Sequence, residues 1–265
     1  MPNTTPNTKM PTLFIGHGSP MNALAHNQFS KFLNKKGESL QAPKAILAVS
    51  AHWETRGTQV LKVAQPETIH DFGGFPKELF EVEYPAQGSP QTADQVATLL
   101  KSHHAITSSE WGLDHGTWSL LVHMYPKANI PVLQLSLNRN LNLKGHFELA
   151  RDLKKLRDQG VLILGSGNIT HNLRAVNWEQ NPKPFDWAVE FDELIKNAIL
   201  NDDKTKLFNE DPSLHSLWKQ ALPTLEHYIP LMYVLGSGEA NDKINFPYTE
   251  MQMGSLSMRA VEMSA

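Results

Sequence analysis

The chain has 265 residues, a net charge of −3 and a composition that is 40% hydrophobic and 19% charged, an ordinary balance for a protein with a sizeable core. The weak negative charge gives no electrostatic case for nucleic acid or an acidic membrane surface as partner. Cysteine is absent, which excludes disulfides, thiolate nucleophiles, Fe–S clusters and Cys-type zinc sites.

In chain order, the first ten residues, MPNTTPNTKM, are polar and lack the apolar core of a signal peptide. They are expected to form a flexible arm over 1–10. Four short apolar runs follow as expected buried strands: Thr12–Ile15, Ala45–Val49, Val132–Leu137 and Val161–Leu164, with Val60–Val63 a weaker fifth. Helical spacing is read over Thr92–Ser102, Thr117–Tyr125, Phe147–Gln159 and Phe185–Leu200, the third stopped by Gly160. Strands alternating with helices predict one α/β domain with a mostly parallel central sheet flanked by helices. No apolar run reaches the ~20 residues of a membrane helix, so no membrane partner is expected and the cytoplasm is the expected location.

Twelve histidines are many for this length. Three expected strands run into one: Leu13–Ile15 into Gly16-His17-Gly18, Ile46–Val49 into Ser50-Ala51-His52, and Leu162–Leu164 into Gly165-Ser166-Gly167-Asn168-Ile169-Thr170-His171. Ligands of open α/β sheets bind outside the carboxyl ends of the strands, so the three histidines are expected to share one site there. Gly16, Gly18, Gly165 and Gly167 suit tight turns and close backbone approach. His115, in a loop leading into a helix, and His227, in TLEHYIP, are each as compatible with a structural role as with a functional one. The Ile69–Pro76 loop with His70, Phe72 and Phe75 either lines an aromatic substrate pocket or is simply packed. His123 reads as a core residue, His26, His146 and His215 as surface residues, and His103 and His104 as solvated.

Neutral imidazoles suit Zn and Fe rather than Mg or Ca. Three with an open position describe a catalytic zinc site, whereas two with a carboxylate describe a non-haem iron oxygenase. HExxH and GxSxG are both absent, which leaves Ser19 and Ser166 weak as nucleophiles. The GSG triplets complete no nucleotide-binding pattern.

At GHGSP (His17), SAHW (His52), HDFGGFP (His70), DHGTW (His115), GSGNITHNL (His171) and EHYIPL (His227), the sequence resembles the 4,5-DOPA extradiol dioxygenases, which are class III ring-cleavage enzymes. The resemblance runs from about residue 11 to the MGSLSM segment at Met253–Met258, and makes residues 11–265 a single catalytic dioxygenase domain. It implies cleavage of a catechol such as L-DOPA with O₂ at one non-haem divalent metal per chain. Fe(II) would serve activity, and Zn(II) can occupy the site in isolated proteins. It further implies His17, His52 and His227 as metal ligands, His171 as acid/base, and His115 as a residue contacting substrate or supporting the centre. His70, Phe72 and Phe75 are then expected at the substrate. The wider class uses a carboxylate as third ligand. Here Glu226 and His227 are adjacent and project in different directions, so His227 is taken as ligand and Glu226 as its partner. Two other readings stand beside this one: a zinc-dependent hydrolase built on the same histidines, and a metal- or ligand-binding protein without turnover, which leaves His115 and His171 without a purpose.

Overall fold

The structure is a computed structural model, and it describes residues 9–179 and 182–265. Six strands form the central sheet: β1 (Thr12–Gly16), β2 (Ala45–Ser50), β3 (Val132–Gln134), β4 (Val161–Gly167), β5 (Lys243–Tyr248) and β6 (Ala260–Ser264). Their order is β3-β2-β4-β1-β6-β5. Strands β3, β2, β4 and β1 run parallel, and β6 and β5 close one edge antiparallel. Every residue of the four parallel strands is buried, which is why they read as apolar runs without polar alternation.

Side chains nevertheless alternate between two cores. Leu13, Ile15, Ile46, Leu162 and Leu164 face α1 (Gln28–Ser39) and α2 (His115–Met124) through Phe29, Leu33, Trp118 and Leu121. On the opposite face, Leu47, Val49, Val161 and Ile163 pack with Leu149 and Ala150 of α3 (Leu143–Arg151). Phe14 and Val261 meet α4 (Asp186–Leu200) and α5 (Ile229–Gly236) on that side through Phe191, Leu231 and Val234. The expected single α/β domain with a mostly parallel, helix-flanked sheet is therefore the observed one.

Several boundaries differ from the sequence expectation, each for a local reason. The run Val132–Leu137 splits because its chain leaves β2 after Gln134, and Leu137–Asn138 pairs instead with Glu54–Thr55. Helix α3 starts early, at an Asn142 cap that accepts from Gly145 N, and breaks before a separate five-residue helix at Lys154–Asp158. Helix α2 begins at His115 rather than Thr117 because Asp114 caps it through Thr117 N. His146, expected at the surface, is buried: it shares a helix face with Leu143 and Ala150, and its Nδ1 lies 3.0 Å from Tyr233 OH. Of the expected N-terminal arm, residues 1–8 lie outside the described residues. Met10 is buried, donating from its N–H to Arg157 O and accepting from Arg157 Nε, and Lys9 pairs with Glu239 at 2.6 Å. No helix among the described residues is long and apolar enough to cross a membrane.

Burial brings the His146 imidazole down to about 4. Its folded value lies below the ~6.5 of an unfolded chain, so on acidification the unfolded state takes up the proton first. This contribution to stability is complete above pH ~6.5 and is lost as pH falls towards ~4. Urea unfolding of the metal-free protein at pH 7 and pH 4.5 should show a pH-dependent loss smaller by about 2–3 kcal/mol in His146→Gln than in the parent. Equal losses in the two proteins would refute it.

Candidate metal centre

Strand β4 lies between β1 and β2, in register Gly16↔Gly167 and Ser50↔Ser166. His17 follows β1 directly and His52 follows β2 by one residue, so both emerge at the carboxyl edge on either side of β4. Their Nε2 atoms are 3.2 Å apart. His227 arrives from the segment before α5, which lies against β4 because β4 ends in glycines. A Cβ on Gly167 would sit 2.0 Å from His227 O, and Asn168 N donates to that carbonyl at 2.8 Å. Gly165 and Gly167 therefore serve close approach from inside the strand and do not form the turn that the sequence suggested. Gly18 takes a positive φ of +61°, a conformation that favours glycine.

The ring centroids of His17, His52 and His227 are 5.1, 5.2 and 5.1 Å apart, a nearly equilateral triangle. The Nδ1 side of each ring faces an acceptor. Ser166 Oγ commits its one proton to Gly116 O at 2.5 Å, so towards His17 Nδ1, 2.9 Å away, it can only accept. Glu226 Oε1 lies 3.1 Å from His227 Nδ1 and also accepts from Thr224 Oγ1. Asp71 Oδ2 lies 3.4 Å from His52 Nδ1. With the Nδ1 atoms protonated, the Nε2 atoms carry lone pairs. Burial first, then the neighbouring imidazoles, holds His17 and His227 well below the usual histidine range and brings His52 down to about 3. The rings are thus neutral at neutral pH.

Two Nε2 lone pairs at 3.2 Å repel unless a cation lies between them. Two ligands on one tetrahedral ion at about 2.0–2.1 Å stand about 3.3 Å apart, so the His17–His52 pair fits a divalent first-row metal. His17, His52 and His115 present nitrogen atoms within 4.8 Å of one another, and so do the ligand atoms of His171, Glu226 and His227.

His115 is the first residue of α2, and its ring centroid lies 3.9 Å from that of His52. Asp71 Oδ1 accepts from His115 N at 2.8 Å, and Asp71 Oδ2 lies 2.9 Å from His115 Nδ1, off the axis of an ideal hydrogen bond. Burial acts to raise the Asp71 carboxyl, but the His115 hydrogen bonds and the adjacent imidazoles hold it below the usual carboxylate range. His171 stacks face to face on His227, with centroids 3.4 Å apart and planes 7° apart, and burial brings it down to about 4.

In the aromatic loop, Phe72 sets its ring edge-on to His115 at 5.5 Å and Phe75 sits edge-on to Phe72 at 5.3 Å. The Nε2 of His70 donates to Val82 O at 3.0 Å, and its ring packs with Phe72, Phe80 and Trp118. His123 is a core residue as expected, donating to Asn22 O.

Sequence reading missed Asp71 and the support that Ser166 gives His17. Asp71 follows His70 in the HDFGGFP motif, but nothing local ties it to a residue 44 positions away. Ser166 is not placed to act as a nucleophile: its proton goes to Gly116 O and its oxygen faces His17 Nδ1.

Residues 11–255 match the family described as the catalytic LigB subunit of aromatic ring-opening dioxygenase. A protein from Escherichia coli (strain K12) named 4,5-DOPA dioxygenase extradiol is 44% identical over 260 residues, covering 96% of this chain and 95% of that protein. A protein of the same name from Beta vulgaris is 38% identical, with 93% of both chains covered. A crystal structure of an uncharacterized protein from Escherichia coli K12 superposes with a TM-score of 0.84 at 39% identity, covering 97% of this chain and all of the other. The resemblance found in the motifs thus extends over nearly the whole chain, and the chain belongs to the LigB family of ring-cleavage dioxygenases.

Proposed function

We propose that the chain cleaves a catechol such as L-DOPA at the extradiol position, using O₂ and one non-haem divalent metal held by Nε2 of His17, His52 and His227, with Fe(II) as the active ion. The observation that carries this reading is the triangle of neutral imidazoles whose Nδ1 atoms all face acceptors. Held by these histidines, a divalent metal would supply Lewis acidity towards the catechol and a route for electron density between the ring and O₂. The neutral ligands leave its double positive charge to be met by the substrate oxygens, which favours the deprotonated catechol.

The remaining residues orient the substrate and move protons. His115, with Nδ1 towards Asp71, turns Nε2 into the site as an acceptor for a catechol hydroxyl proton. His171 takes up a proton and returns it during ring opening, a two-way role that suits an imidazole. Phe72 and Phe75 give the substrate ring an apolar wall next to His115 and keep water from it.

Protein loaded anaerobically with Fe(II) should take up oxygen when given L-DOPA and form a yellow ring-opened semialdehyde. A catechol panel that elicits no oxygen uptake from iron-loaded protein would overturn the proposal.

Metal content separates the roles. His17→Ala, His52→Ala and His227→Ala should hold little metal after reconstitution, whereas Glu226→Gln should retain it. His171→Ala should keep most of the metal and lose about 10²–10⁴-fold in turnover. A metal-free His171→Ala would make His171 a ligand, and a metal-free Glu226→Gln with a loaded His227→Ala would restore a carboxylate as third ligand.

A further inference from the structure

One carboxylate in the site, Asp71, lies against two of its histidines at once. Asp71 is anchored on both sides of the backbone. Before it, Ile69 N donates to Leu113 O at 2.7 Å, and Ile69 O accepts from Trp118 Nε1 at 2.8 Å. After it, Phe72 places its ring against His115. The chain then opens into Gly73 and Gly74, where an added Cβ would meet nothing within 4 Å. Asp71 is therefore at the end of the loop segment fixed against the start of α2.

Its two oxygens are divided. Oδ1 takes the backbone N–H of His115 at 2.8 Å. Oδ2 faces two ring nitrogens at once, His115 Nδ1 at 2.9 Å and His52 Nδ1 at 3.4 Å. An ionised carboxylate only accepts, so both rings are favoured with the proton on Nδ1 and the lone pair on Nε2. For His52 that lone pair faces His17 Nε2 across 3.2 Å. For His115 it is the atom available to a substrate proton.

We propose that Asp71 is a positioning residue: a single carboxylate that sets the tautomers of His52 and His115 together, so that metal affinity and the proton-accepting face towards the substrate depend on one group. This rests on the metal-centre reading above for its link to catalysis. The tautomers themselves are a property of the metal-free chain. His17 and His227 are outside its reach, because Ser166 and Glu226 hold their Nδ1 atoms.

Asparagine at this position is a sharp probe because it conserves shape and reverses polarity. The backbone N–H of His115 needs the amide oxygen on its side, and that turns the NH₂ towards the two Nδ1 atoms. Those atoms must then accept, and the ring protons move to Nε2, towards the metal position. Glutamate keeps the acceptor, and serine removes the carboxylate without adding an amide.

The experiment compares the full-length parent with Asp71→Asn, Asp71→Glu and Asp71→Ser. It reads ¹⁵N imidazole NMR of the metal-free proteins, Co(II) affinity by titration, and the thermal midpoint as a check on folding. In Asp71→Asn, His52 and His115 should move to the Nε2–H tautomer while His17 and His227 keep Nδ1–H. Co(II) affinity should fall about 10–100-fold, the usual effect of losing a partner of a metal-ligating histidine. Asp71→Glu should recover the Nδ1–H tautomers. The proposal is overturned if His52 and His115 in Asp71→Asn stay Nδ1–H and Co(II) binds within about threefold of the parent. If Asp71→Asn does not fold, Asp71→Ser decides: mixed tautomers at His52 and His115 support the role, and retained Nδ1–H overturns it. A parent that takes up no Co(II) would defeat the metal reading of the site, and the tautomers would still decide the role of Asp71.

Discussion

The Nε2 atoms of His17 and His52 stand 3.2 Å apart, with the His227 ring centroid 5.2 and 5.1 Å from theirs, and much of the surrounding structure serves to keep these imidazoles neutral and in place. Left alone, such rings would take up a proton or turn a ring N–H towards a neighbour's lone pair. Burial opposes the first, since a charged imidazole in a dry site beside other imidazoles is strongly disfavoured. Ser166 and Glu226 oppose the second by accepting at the Nδ1 sides of His17 and His227, and Asp71 Oδ2 lies 3.4 Å from His52 Nδ1. What remains is the pair of Nε2 atoms of His17 and His52, whose lone pairs face each other at 3.2 Å, a disposition that a cation can satisfy.

The fold supplies the positions. Parallel pairing of β1, β4 and β2 delivers His17 and His52 to the same edge, in register with Gly167 and Ser166. The missing side chains at Gly165 and Gly167 let the segment carrying His227 lie directly on β4. Ser166, between those glycines, turns its hydroxyl to His17 and to the first turn of α2. The GSG triplet thus combines two needs of the site, backbone proximity and a small hydrogen-bonding side chain.

The buried strands were legible because residues enclosed on both faces are apolar throughout, and the histidines after them were legible because strand ends are where open sheets place their sites. His227 was recoverable only through the family motif. It lies in the turn before α5, and no periodicity reports that this turn returns to β4. His146 shows the opposite failure: a polar residue name suggested the surface, while its spacing from Leu143 and Ala150 already put it on the buried face. Asp71 and Ser166 act through contacts to residues 44 and 149 positions away, which no local pattern encodes. The start of α2 was misplaced by two residues, and those two residues carry His115 from a loop into a helix whose cap and partner fix its direction.

A crystal structure of the protein loaded with one equivalent of Zn(II), with the ion located by its anomalous signal, is the most direct measurement. The ion should lie about 2.0–2.1 Å from Nε2 of each of His17, His52 and His227, with their Nδ1 atoms still turned to Ser166, Asp71 and Glu226. An ion bound through Nδ1 of any of the three, or held by Glu226 with His227 turned away, would contradict the arrangement described here.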